Sequence, residues 1–179
     1  MKIGIIIGSV REGRIGGTIG SWVHEIASQR AGDVEYELID LKEFDVPVLT
    51  SPTHPMLSGK KYDDARVQAW SDAIDACDAF VFVTPECNHA VPGALKNAVD
   101  SLGAEWVGKP VGFIGYGAVG GVRAIENWRQ IVANFSMCDV RAEVNVNTFT
   151  DFKDDKFAPA ERRTNEVNEV FNQVESRVG

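Results

Sequence analysis

Apolar positions along this chain follow two alternating rhythms. Unbroken apolar runs recur at Lys2–Gly8 (KIGIIIG), Ala79–Val83 (AFVFV) and Val111–Gly115 (VGFIG). Runs without alternation suit strands buried on both faces. Val34–Asp40 and Asp139–Phe149 supply two further strands, the first with visible alternation. Between them lie stripes at helical spacing. Ile19, Trp22, Val23 and Ile26 mark the first helix, which Gly32 and Asp33 end. Val67, Trp70, Ile74 and Cys77 mark a second, over Ser58–Cys77. Leu95, Val99 and Leu102 mark a third, over Pro92–Leu102, with Pro92 where a helix tolerates its missing N–H. A fourth runs to about Ser136 and turns Val122, Ile125, Trp128, Ile131, Val132 and Phe135 inward. The last covers Ala160–Val178, with Val167, Val170, Phe171 and Val174 inward. Trp22, Trp70 and Trp128 lie on these stripes and are predicted core. Trp106 stands outside them, for packing at a helix end or at a subunit contact. Leu41–Leu57 holds Pro47, Pro52 and Pro55 and has no period, so it reads as a long irregular connection of the kind that serves or covers a site. Thr150–Pro159 is polar and rich in aspartate.

Five strands alternating with five helices predict a three-layer α/β/α sandwich over a parallel sheet. Right-handed crossovers allow the flavodoxin-like order 2-1-3-4-5, in which the winding switches between strands one and three. The loops after strands one, three and four then share the sheet's carboxyl edge, where open α/β sheets bind ligands.

Length and charge narrow the reading. The 179 residues suit one domain over 1–179, with 44% hydrophobic residues and a formal net charge of −8. That balance excludes the basic face of a nucleic-acid binder. Three cysteines, Cys77, Cys87 and Cys138, form no CxxC pair, so neither a zinc site nor a disulfide framework is expected. Free thiols fit a reducing cytoplasm. No apolar run approaches the length of a bilayer span, and no exported leader is read.

Three loops carry the candidate chemistry. Gly8–Thr18 (GSVREGRIGGT) has the parts of an anion site: glycines that let the backbone approach, helix-start N–H groups, the hydroxyls of Ser9 and Thr18, and Arg11 and Arg14 as charged donors. Arg14-Ile15 stands where a Walker A loop needs Lys-Ser/Thr. Gly115–Gly120 is a literal GxGxxG. The following strand, however, ends in Asn145, Asn147 and Thr148, without the acidic residue that would hold a dinucleotide's ribose. A simpler reading leaves these glycines to tight packing. The loop between these two in the chain, Thr84–Gly93, exposes Glu86, Cys87, Asn88 and His89 where the strand Ala79–Val83 stops. Glu86 and His89 could form an acid–base pair, or His89 could order the loop or face solvent. Cys87 is open to a nucleophilic role or to that of a small buried thiol. One mononucleotide shared by the three loops accounts for them together. Flavin mononucleotide (FMN) fits, because its ring needs hydrogen bonds along one edge and an open face for substrate.

The motifs GSVREGR (Gly8–Arg14), TPECNHAVPGALKNAVDSL (Thr84–Leu102), GKP (Gly108–Pro110) and GYGAVGGVRA (Gly115–Ala124) resemble, in sequence and spacing over about residues 1–149, the NADPH-dependent FMN reductase family. This flavodoxin-like group includes azo-, quinone- and chromate-reducing flavoproteins. The resemblance implies that Ser9, Arg11, Arg14 and the backbone of Gly16, Gly17 and Thr18 hold the FMN phosphate. It implies that Pro85, Glu86, Cys87 and Asn88 line the isoalloxazine and ribityl region. It places Tyr116, Gly117 and Ala118 against the ring from the other side. Cys87 stands where the family usually has Tyr, and Gly115 where it usually has Ser. The implied activity is hydride transfer from NADPH or NADH through flavin N5 to a small-molecule acceptor, by ping-pong kinetics. The acceptor classes are quinones, azo or nitro compounds, metal oxyanions and free flavin. No dedicated catalytic side chain and no metal are expected. A homodimer or homotetramer is expected, with Leu41–Leu57 as a candidate contact. The rival readings are a flavodoxin-type electron carrier without NAD(P)H activity and a non-enzymatic nucleotide sensor.

Overall fold

A computed structural model describes residues 1–178. The strands are β1 (Lys2–Ile7), β2 (Glu35–Asp40), β3 (Ala79–Pro85), β4 (Pro110–Gly117) and β5 (Cys138–Asn147), with a small pair β6 (Phe152–Lys153) and β7 (Lys156–Phe157). The helices are α1 (Gly16–Ser28), the single turn α2 (Leu41–Phe44), α3 (Ala65–Asp75), α4 (Gly93–Asp100), α5 (Val122–Ala133) and α6 (Arg162–Glu175). The five long strands form one parallel sheet in the predicted order β2-β1-β3-β4-β5.

Strand alternation divides the core into two layers. Ile3, Ile5, Val81, Val83, Ile114 and Tyr116 pack with α1 and α6. Phe80, Phe82, Val111 and Phe113 face the other way, onto α3, α4 and α5. The central residues of β1, β3 and β4 therefore meet an apolar layer on either face, which is why their sequences carry no polar alternation. Trp106 belongs to the second layer. It is fully buried, edge-on to Phe80 with centroids 5.0 Å apart, and its Nε1 donates to Val99 O near the end of α4 at 3.1 Å. Of its two expected roles the structure shows the helix-end packing and excludes a subunit contact.

Several expected boundaries move. The helix expected over Ser58–Cys77 begins only at Ala65, because Gly59 and Lys60 both adopt left-handed backbone (φ 64° and 60°) and Asp64 caps Arg66 N at 2.9 Å. Leu41–Leu57 is not wholly irregular. Asp40 caps α2 through Lys42 N, and Pro55–Leu57 makes a 3₁₀ turn. This strap is tied to α4, where the Asn97 side chain bonds Leu49 N and Pro47 O, both at 2.9 Å. Val122, expected inward, is the first residue of α5 and is exposed at the rim. Ile131 is only partly buried. The aspartate-rich stretch makes the turn of the β6–β7 hairpin, with Asp154 and Asp155 left-handed. Phe157 closes onto Trp22 of α1 at 5.2 Å, so Trp22 lies at the margin of the core.

Candidate functional site

The carboxyl ends of β1, β3 and β4 bring the three loops to one rim. Gly8 N donates to Val83 O at 2.9 Å, joining the first loop to β3. Glu86 N donates to Tyr116 O at 3.0 Å, joining the second loop to β4. The Tyr116 side chain then crosses under the sheet's edge to the start of α1. There Gly16 leaves room for its hydroxyl, since a Cβ at 16 would overlap it.

The first loop ends in an uncapped helix. Ile15 stands at the N-cap position without a side-chain bond, and no acidic residue lies in the first turn of α1. The N–H groups of a helix's first turn have no intrahelical partner, and the helix dipole adds a partial positive charge there. Gly17, at the second helical position, has open space where a side chain would stand. The two arginines have different places. Arg14 Nη1 donates to Asp40 Oδ1 at 2.8 Å, Nη2 pairs with Asp40 Oδ2, and Nη1 also reaches the Ser9 carbonyl. Arg14 is thus a strut from β2 across the loop. Arg11 is exposed and, among the described residues, makes no ion pair. Ser9 is buried and Thr18 exposed.

In the second loop Cys87 and Ala90 bond each other through both backbone pairs, at 2.9 and 3.1 Å. Asn88 and His89 form the exposed tip, both left-handed (φ 49° and 73°). Such a two-residue turn favours Asn then Gly, so His89 carries backbone strain. Pro85 and Cys87 are half-buried and the Cys87 thiol is free. The Glu86 carboxylate accepts from Arg123 N at 3.1 Å and from Arg123 Nη1 at 2.7 Å. It therefore caps α5, which has no cap of its own. This bonding is structural, and the acid–base pair entertained for Glu86 and His89 is not formed.

The third loop is filled by its own backbone. Gly120 and Gly121 are left-handed (φ 77° and 74°), and a Cβ on Gly121 would lie 2.5 Å from Tyr116 N. A Cβ on Gly115 would lie 2.8 Å from Gly120 O and 2.9 Å from Ile125 Cδ1, so a serine has no room there. The GxGxxG is thus a packing motif. Gly117 is half-buried and Ala118 exposed, its carbonyl accepting from Asn147 Nδ2 at 2.9 Å.

Tyr116 completes the arrangement. Its ring is 5% exposed, and its hydroxyl is the one buried side-chain polar atom without a hydrogen-bond partner among the described residues. Leaving such a group unpaired costs about 1–3 kcal/mol. Burial pushes the phenol up to about 12, and the nearby Ser9 hydroxyl and the charges of Arg14 and Arg11 only partly oppose this. The structure points the Tyr116 side chain at the first loop. It also adds two residues that pattern alone had not picked out: Asp40, the partner of Arg14, and Arg123, the partner of Glu86. A signal existed for Tyr116, which shares the parity of Ile114 along β4 and hence the α1 face.

Known proteins share this layout. FerB of Paracoccus denitrificans, described as a flavoenzyme NAD(P)H:(acceptor) oxidoreductase, superposes with a TM-score of 0.75 over 98% of both chains at 21% identity. Flavodoxin 1 of Bacillus cereus superposes with a TM-score of 0.60 over 100% of both chains at 12% identity. These likenesses establish the flavodoxin-like fold. In sequence, the NAD(P)H-dependent FMN reductase ntnL of a Nectria species is 40% identical over 126 residues, 69% of this chain and 63% of that one. A Schizosaccharomyces pombe relative of the same description is also 40% identical, with 60% of its length matched, so this chain spans about three fifths of either protein. The quinone reductase of Escherichia coli is 30% identical over 139 residues, 74% of this chain and 69% of that one. The model of the family described as NADPH-dependent FMN reductase matches residues 1–151, the whole sheet with its three rim loops, and the chain belongs to that family.

Proposed function

We propose that this protein binds FMN non-covalently at the rim and acts as an NAD(P)H-dependent oxidoreductase. One observation carries the reading: α1 starts at the sheet's switch point with no cap, no acidic residue and open space at Gly17. That is a site built for an anion supplied from outside the chain. The donor set fits a phosphate monoester, with N–H groups of Gly16, Gly17 and Thr18, the Ser9 and Thr18 hydroxyls, and Arg11. Arg14 keeps the loop in shape through Asp40. The turn at Pro85–Asn88 and the backbone at Gly117–Ala118 frame a flat heterocycle at the neighbouring edge. FMN bound there would supply the redox chemistry, with hydride from NADPH or NADH taken up at N5 and electrons passed on to a quinone, an azo or nitro compound, a metal oxyanion or free flavin in ping-pong order.

The chain's own residues bind, orient and leave one face open. Cys87, where the family usually has an aromatic residue, leaves a wider mouth over the ring region. Exposed Val48 (76%) and Leu57 (80%) on the strap over α4 support a homo-oligomer that would cover them. The three free thiols accord with a reducing, cytoplasmic setting. Among the described residues no helix is long and apolar enough to cross a membrane.

The test is an absorbance spectrum of the protein loaded with FMN, followed by anaerobic NADPH. Rapid bleaching, recovery on adding a quinone, and parallel double-reciprocal lines are expected. A bound flavin that NADPH leaves oxidised would mark an electron carrier instead. A protein that takes up no FMN would be a nucleotide sensor at most, and the reading would be wrong.

A further inference from the structure

The phosphate donors named above all come from the first loop. Tyr116 comes from β4, two strands away in the sheet. Its hydroxyl nevertheless lies against Gly16, the first residue of α1, beside Ser9. Two independent facts meet there. The helix start offers N–H groups with no cap. The residue is 5% exposed, and its hydroxyl has no hydrogen-bond partner among the described residues. A buried O–H without an acceptor points to an acceptor the chain does not itself contain.

We propose that the Tyr116 hydroxyl donates a hydrogen bond to a phosphate oxygen of the bound mononucleotide, making Tyr116 part of the anion subsite and not of the ring frame. This rests on the flavin reading above. Gly16 is glycine for the same reason, because any side chain there would displace the hydroxyl. Arg14 is committed to Asp40, so a neutral donor from below adds contact to the phosphate without burying an unpaired cation beside it. The phenol stays protonated across the working pH range, so its contribution is independent of pH there. The consequence is discrimination: the residue helps the protein tell FMN from riboflavin, which has the same ring and no phosphate.

The experiment compares wild type and Tyr116→Phe, which keeps the ring that packs the core. Quenching of flavin fluorescence gives Kd for FMN and for riboflavin separately. The expected result is an FMN Kd raised about tenfold, the scale of one hydrogen bond to a charged group, with the riboflavin Kd unchanged. Urea unfolding of the flavin-free variant is expected to show stability equal to or above wild type, since it loses an unpaired hydroxyl. Equal weakening of both flavins would place Tyr116 at the ring and overturn the proposal, as would an unchanged FMN Kd. Wild type that binds neither flavin would sink the flavin reading and this proposal with it.

Discussion

Two glycine-rich loops follow parallel strands in this molecule, and both lead into helices, yet they end differently. The loop before α1 leaves the helix start bare and the Tyr116 hydroxyl unpaired. The loop before α5 is closed: Gly115, Gly120 and Gly121 pack backbone on backbone, and the Glu86 carboxylate caps Arg123 N. One helix start has no anion from the chain beside it, and the other already holds one of the chain's own. Glycine content alone therefore does not identify a phosphate site. What identifies it is whether the first-turn N–H groups already have an acceptor.

The comparison can be broken most severely at the closed loop. Gly121→Ala forces a side chain into left-handed backbone and into contact with Tyr116 N, and it should cost about 3 kcal/mol or more of unfolding free energy. Urea titration reads this; a loss under 1 kcal/mol would show the packing to be loose. Next, Glu86→Ala removes the cap from α5 and leaves Arg123 unpaired. It should destabilise the protein by about 1–2 kcal/mol. Its FMN affinity should fall less than its stability, because the carboxylate faces the helix.

At the open loop the two arginines should separate by salt. Arg14→Ala removes a strut and should weaken FMN about tenfold at any ionic strength. Arg11→Ala removes an exposed charge and should weaken it only a few-fold, an effect that fades by about 0.5 M salt. If both variants show the same salt dependence, Arg14 is not acting through Asp40. The flavin-free protein also offers a pH test. The folded-state phenol of Tyr116 is raised to about 12 against an unfolded value of about 10, so its share of stability is intact below pH 10 and is lost as pH rises toward 12. Tyr116→Phe should thus lose about 1 kcal/mol less than wild type between pH 9 and 11. The smallest effect is expected at the loop tip. His89→Gly relieves a left-handed residue and should gain about 0.5 kcal/mol after the entropy of glycine is set against it.

The strand order and the rim were legible because they follow from patterns of short range. Unbroken runs such as AFVFV occur where a strand has apolar layers on both sides, and alternating strands and helices leave few windings. The start of α3 was not legible, because the 67–77 stripe says nothing about left-handed Gly59 and Lys60 upstream. The roles of Arg14 and Glu86 were half legible. Both residues stood in the expected loops, but their partners Asp40 and Arg123 lie 26 and 37 positions away.

By itself, then, the order of residues determined the layers, the strand sequence and the three loops that gather at one edge, since burial on two faces and helical spacing are written locally. Tertiary structure alone decided which charged groups are already spent and which polar atom is left wanting. Whether an arginine is a strut or a free donor, or a tyrosine hydroxyl is satisfied or not, depends on what other strands bring within about 3 Å of it.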